Sequence, residues 1–150
     1  MPLQQCPDFS LPATSEQTFH LAQAKKPLVI YFYPKDNTPG CTNESIAFRD
    51  LYPAFGEHGV EIVGISRDSL KSHENFKAKF SLPFELLSDS EETVCRIFEV
   101  IKTKNMYGKQ VQGIERSTFV IGANGEIAHE WRGVKVAGHA EEVLAFIQSL

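Results

Sequence analysis

The chemistry available to this sequence gathers on Thr38-Pro39-Gly40-Cys41, a turn between an apolar run and an amphipathic one. A cysteine reacts through its thiolate, so its reactivity depends on whether its surroundings favour that form. Here they do. Thr38 is a good helix N-cap, and Pro39 is the favoured first helical residue. Gly40 and Cys41 then take the second and third helical positions. Amides there have no intrahelical acceptor and lie at the positive end of the helix dipole. Such a site can lower a cysteine pKa from about 8.5 to ~3.5–7.5. The Thr38 hydroxyl, three residues before the sulfur, can donate a hydrogen bond to a thiolate but cannot form a disulfide. The expected chemistry is that of one activated sulfur. The alternative is a small apolar residue that happens to start a helix.

The elements that must hold this turn lie on either side of it. Leu28 to Tyr33 reads as a buried strand, and Ile46, Ala47, Phe48, Leu51, Tyr52 and Phe55 recur at helical spacing. Pro53 predicts a kink or break in that helix. Residues 8–20 read as a short hairpin turning between Pro12 and Gln17. Val60 to Ser66 is a second apolar strand. Asp68 or Ser69 caps a helix with Leu70, His73, Phe76 and Phe80 on one face. Pro83 to Leu87 leads into a short third strand, and Ser90 caps a short helix carrying Val94, Ile97 and Phe98. Residues 100–113 are polar and read as a loop with a strand edge. Ser117 to Ile121 and Glu126 to Trp131 flank an Asn-Gly turn and predict an antiparallel hairpin. A last helix covers His139 to Ser149, with Val143, Leu144 and Ile147 inward. This order predicts an α/β domain over residues 1–150, with a mixed central sheet flanked by helices and an N-terminal hairpin.

Pro34-x-x-x-Thr38-x-x-Cys41 resembles the peroxidatic motif of the peroxiredoxins. The longer blocks Tyr31 to Lys35, Thr38 to Thr42 with Glu44, and Phe48-Arg49-Asp50 resemble the bacterioferritin comigratory protein subfamily, also called peroxiredoxin Q. Pro7 to Pro12, Gly64-Ile65-Ser66-x-Asp68-Ser69, Leu87-Ser88-Asp89 and Gly113-Ile114-x-Arg116-Ser117-Thr118-Phe119 fit in the same order. The resemblance implies a thioredoxin-like fold and a thiol peroxidase. Such an enzyme reduces hydrogen peroxide and organic hydroperoxides through a sulfenic acid at Cys41. Electrons come from thioredoxin, glutaredoxin or glutathione, without a cofactor. It also implies that Pro34 shields the sulfur from water and that Arg116 supplies the positive charge. Arginine suits that role because it stays charged and offers a planar fork of donors. Without the motif, a surface pair between Arg116 and Glu115 would be the plainer reading. The free amides of Gly40 and Cys41 add donors for the leaving oxygen. Glu44 lies on the same helix face as Cys41 and would oppose a thiolate unless it pairs with Arg49 or a backbone amide. It reads as a support of the site.

The sequence departs from the subfamily at the resolving step. The position five residues after Cys41 is Ile46, and the segment Asn75 to Ala78 of the next helix also lacks cysteine. Cys95, beside Val94 and Phe98, reads as a buried thiol, and Cys6 as a residue near the surface. The expectation is a one-cysteine mechanism with an external thiol. The alternatives are an internal disulfide through Cys95 or Cys6, or a redox sensor that oxidises once. The absence of any Cys-x-x-Cys pair speaks against a thioredoxin-type reductase. The five histidines have no metal-ligand spacing with a cysteine and read as surface or cap residues, so no metal is expected. The formal charge of −4 disfavours a nucleic-acid binder. No apolar run approaches the ~20 residues of a membrane span. The N-terminus has neither the basic nor the apolar region of a signal peptide. Odd, widely spaced cysteines make no disulfide framework. A monomer in a reducing, cytoplasmic setting is expected.

Overall fold

The apolar runs form strands and the amphipathic runs form helices, in the order the sequence implies. The computed structural model describes residues 5–150, without the side chains of Lys104 and Met106. The strands are β1 (Ser10–Ala13), β2 (Gln17–His20), β3 (Leu28–Phe32), β4 (Glu61–Ser66), β5 (Glu85–Ser88), β6 (Ile101–Met106), β7 (Lys109–Ile114), β8 (Ser117–Ile121) and β9 (Ile127–Arg132). The helices are α1 (Pro39–Glu57), α2 (Leu70–Phe80), α3 (Thr93–Ile97) and α4 (His139–Gln148). Seven strands share one sheet in the order β2-β1-β5-β4-β3-β8-β9. The pairs β3–β4 and β4–β5 are parallel, whereas β1–β5, β3–β8 and β8–β9 are antiparallel, so the sheet is mixed.

Strand β3 is the middle of this arrangement and is buried along its whole length. Alternation of its side chains divides the core in two. Leu28, Ile30 and Phe32 join Phe9, Leu11, Phe98 and Phe119 on one face. Val29, Tyr31 and Tyr33 join Phe48 and Phe55 of α1, Phe76 of α2 and Val143 of α4 on the other. Tyr31 fastens α1 to the sheet. Its ring stacks on Phe48 with centroids 4.9 Å apart, and its hydroxyl lies 2.9 Å from Ser45 Oγ. Gly64, opposite Tyr31 in β4, makes room for that ring, because a Cβ there would lie 2.8 Å from Tyr31 Cζ.

Four local expectations differ from the structure. Helix α1 runs through Pro53 as one element. Pro53 is exposed, while Phe48 and Phe55 on either side are fully buried, so packing keeps the helix together where one amide is missing. Residues 101–114 form a two-stranded hairpin apart from the main sheet. Its Tyr107-Gly108 turn has positive φ at both residues, 54° and 79°. Most of its described side chains are exposed, so no alternation of burial marked it as strand. The N-cap of α3 is Glu92 and not Ser90, and the Asp89 carboxylate accepts the Cys95 amide at 2.7 Å. Finally, His73 and His139 are buried, whereas His20, His58 and His129 are exposed as expected.

Candidate active site

Cys41 sits in the first turn of α1, with 1% of its surface exposed. Thr38 is the extended N-cap residue, and Pro39 follows at the first helical position. The helical ladder starts with Thr42 N donating to Thr38 O at 2.8 Å, so the amides of Gly40 and Cys41 precede it without a helical acceptor. Arg116, just before β8, the strand paired with β3, reaches this turn. Its Nη1 lies 3.5 Å from Cys41 Sγ and 2.7 Å from Glu44 Oε1. Gly40 gives the guanidinium its place, since a Cβ there would lie 3.1 Å from Arg116 Nη2.

A single guanidinium nitrogen therefore serves two acidic groups. Glu44 is almost fully buried, and its Oε2 is the buried side-chain polar atom without a hydrogen-bond partner among the described residues. Burial pushes its carboxyl up to about 7, although the charge and hydrogen bond of Arg116 pull the other way. Burial also works against the Arg116 charge, but Glu44, and then Cys41, outweigh it and raise its pKa. The partner offered by the sequence for Glu44 was Arg49 or a backbone amide. Arg49 instead bonds to Asp50 and to the Phe80 carbonyl. The pairing of Arg116 with Glu115 does not occur either, because the buried Glu44 takes that place.

Thr38 departs from expectation as well. Its hydroxyl donates to Lys35 O at 2.8 Å and not to the sulfur, and its oxygen caps no helix amide. That oxygen keeps its acceptor capacity. Pro34 is half-buried where β3 gives way to the loop. Cys6 is buried rather than near the surface, and burial pushes its thiol up to about 11. Cys95 is fully buried, and burial together with Asp89 raises its thiol further still. All three cysteines are free thiols. Cys6 and Cys95 belong to the core face that holds Ile30 and Phe32, and Cys41 to the opposite face.

The cluster that sequence reasoning missed lies beside the turn. Asp36, Asp68 and His73 bring donor atoms within 4.8 Å of one another. Their atoms are already engaged: Asp36 accepts from Tyr33, Ser72 and His73, and Asp68 Oδ2 accepts from Ser66 and the Asp36 amide. This is a closed hydrogen-bond network and not a vacant metal site. The only signal in the sequence was a histidine on the apolar face of α2.

The AhpC/TSA family profile matches residues 2–130. The chain belongs to the AhpC/TSA family. It is 55% identical over 144 residues to peroxiredoxin Bcp of Xanthomonas campestris, covering 94% of this chain and 90% of the relative. It is 45% identical over 148 residues to peroxiredoxin Bcp of Bacillus subtilis, covering 98% and 94%. Among solved structures, peroxiredoxin Q of Xanthomonas campestris superposes with a TM-score of 0.90 at 52% identity, over 94% of this chain and 90% of that one. A variant of the Xylella fastidiosa peroxiredoxin Q superposes at 0.93 with 43% identity, over 99% and 96%. The resemblance read from Pro34, Thr38, Cys41 and the later blocks is borne out, and with it the thioredoxin-like fold. A further structure of the Xanthomonas bacterioferritin comigratory protein concerns the alkyl peroxide reduction activity of that protein.

Proposed function

We propose that this family member is a one-cysteine thiol peroxidase acting on hydrogen peroxide and organic hydroperoxides. The observation that carries the reading is the pair Cys41 Sγ and Arg116 Nη1, 3.5 Å apart at the free amides of a helix start. The Cys41 thiolate attacks one peroxide oxygen, the O–O bond breaks, and the electron pair leaves on the other oxygen. Cys41 becomes a sulfenic acid, and the alkoxide or hydroxide takes up a proton. Arg116 and the Gly40 and Cys41 amides face the position where that negative charge develops. The open acceptor on Thr38 suits the O–H of the incoming peroxide, so Thr38 orients substrate rather than sulfur. Pro34 covers the loop side of the turn. The alkyl peroxide chemistry named for the Xanthomonas relative supports the substrate class.

The sheet supports an external resolving thiol. Cys6 and Cys95 lie under the face opposite Cys41, so an internal disulfide would have to bring two sulfurs together across β3. A low-molecular-weight thiol or a glutaredoxin instead condenses with the sulfenic acid, releasing water and leaving a mixed disulfide. A second thiol then takes the first away as a disulfide and restores Cys41. One equivalent of peroxide should give a dimedone-reactive Cys41, and added glutathione should shift the mass by one glutathionyl group on Cys41. Cys41→Ser should abolish both peroxide consumption and adduct. Retained turnover in Cys41→Ser would refute the nucleophile. A rapid Cys41–Cys95 or Cys41–Cys6 bridge within one chain would refute the one-cysteine mechanism. A single oxidation without turnover under excess glutathione, glutaredoxin and thioredoxin would favour a sensor.

A further inference from the structure

The loop that delivers the chain into α1 is tied down by a buried hydrogen-bonded pair, Asp36 and His73. Asp36 is 5% exposed and turns its side chain inward. Its Oδ1 accepts from Tyr33 Oη at 2.6 Å, and its Oδ2 accepts from Ser72 Oγ at 2.7 Å. His73, fully buried on α2, places Nδ1 2.7 Å from the same Oδ2 and Nε2 2.9 Å from Leu87 O in β5. Both ring nitrogens are thus engaged, one by the Asp36 carboxyl group and the other by the Leu87 carbonyl, so the ring ties α2 to the loop and to β5. Burial alone would raise that carboxyl, but the hydrogen bond and charge of His73, with Tyr33 and Ser72, hold it below its ordinary value. The other acidic groups facing the ring are Tyr33 from the end of β3 and Asp68 from the turn before α2. Leu87 of β5 offers only its carbonyl.

The backbone is held at the same place. Asp36 N donates to Asp68 Oδ2 at 2.9 Å, and Ser66 Oγ donates to that oxygen at 2.6 Å. The next residue, Asn37, is in the left-handed region with φ of 61°, and Thr38 follows at the N-cap position of α1. Where Asp36 sits thus decides where Thr38 and the first turn of α1 sit. Buried hydrogen bonds of this kind are directional and fix one arrangement.

We infer that His73 is a positioning residue for peroxide reduction: its ring, held between Asp36 and the Leu87 carbonyl, pins the β3–α1 loop in the arrangement that Cys41 needs to meet peroxide. The inference rests on the reading of Cys41 as the peroxidatic sulfur. Cys41 is 1% exposed, so an external thiol reaches its sulfenic acid only after this turn moves outward. The pin therefore favours the first half of the cycle and opposes the second. Weakening it moves the two rates in opposite directions, which a general loss of structure does not do.

His73→Gln keeps one donor and one acceptor of similar reach in place of the ring, and Asp36→Asn removes the carboxyl group that the ring holds. Stopped-flow oxidation by hydrogen peroxide should slow by about ten- to a hundred-fold in either variant, the scale on which a small misplacement costs rate. Glutathionylation of the preformed sulfenic acid should accelerate. Hydrogen exchange at the Asp36 amide, which donates to Asp68, should speed up in both variants. An unchanged peroxide rate in both variants, or both half-reactions slowed alike, would overturn the positioning role. Unchanged exchange at that amide would overturn the pin itself. Dimedone stoichiometry separates the two readings. One adduct per chain in His73→Gln leaves the Cys41 assignment standing whatever the rates do, whereas a wild-type protein without a Cys41 adduct removes the ground beneath both.

Discussion

Glu44→Gln, made on a Cys41→Ser background, should change how folding stability depends on pH. The serine removes the thiol beside Arg116, so one titrating carboxyl remains in that shell. Its ordinary value is 4.5, and burial raises it to about 7 in the folded protein. The folded state thus holds a proton that the unfolded state has released. Stability from this group is fully present below pH 4.5 and is lost as pH rises through 7. At about 1.4 kcal/mol per pH unit, the gap amounts to about 3 kcal/mol. Glutamine cannot titrate and keeps one acceptor for Arg116. Urea unfolding of the two proteins between pH 4.5 and 8 should show the glutamine variant gaining about 3 kcal/mol over its parent as pH rises. A level difference across the range would mean that Glu44 does not hold a proton near neutrality. A difference of opposite sign would mean that the Arg116 pair outweighs burial and that the carboxyl is depressed.

The remaining perturbations address the turn itself. Arg116→Ala should slow Cys41 oxidation ~10²–10³-fold, the usual cost of one positioned donor in an enclosed site, with an unchanged circular dichroism spectrum. An unchanged second-order rate constant would remove Arg116 from the mechanism. Thr38→Val keeps the shape, loses the oxygen, and should slow oxidation while leaving iodoacetamide alkylation of Cys41 nearly unaltered. Equal losses in both reactions would place the hydroxyl on the sulfur after all. Gly40→Ala puts a Cβ 3.1 Å from Arg116 Nη2, so the guanidinium must shift by a few tenths of an ångström. Oxidation should slow by less than in Arg116→Ala, and a wild-type rate would show that the contact yields freely.

The parts of the site on contiguous residues were readable from the chain. Thr38, Pro39, Gly40 and Cys41 carry capping, helix-start and thiolate signals that need no tertiary structure. Strand β3 announced itself because a strand buried on both faces has no polar positions. What escaped depends on distant pairs. Arg116 lies 72 positions from Glu44, and only the fold brings them to 2.7 Å. The single hydrogen of Thr38 can serve either a local carbonyl or the sulfur, and the sequence does not decide between them. His73 has the helical spacing of an apolar face, where a histidine usually marks an edge and here is buried against Asp36. The β6–β7 hairpin failed for the opposite reason, since a two-stranded ribbon exposed on most of its described positions has no alternating pattern to read.

The polar attachments around the first turn of α1 differ in what oxidation does to them. Tyr31 to Ser45 holds the helix from beneath, and Asp36 with His73 holds the loop from the α2 side. Neither involves the sulfur, so neither changes when Cys41 reacts. The Arg116 attachment does involve it. With a thiolate 3.5 Å from Nη1, the Coulomb attraction is about 5 kcal/mol at an effective dielectric constant of about 20, before desolvation is set against it. A sulfenic acid is neutral and gives up most of that attraction, while Glu44 keeps its own hold on Nη1 at 2.7 Å. On the proposed mechanism, then, peroxide removes the one contact that ties sulfur to arginine and leaves the contacts that tie helix to sheet. The first turn is released locally, next to a loop that stays pinned. That asymmetry suits an enzyme whose sulfur must be enclosed for one reaction and reachable for the next.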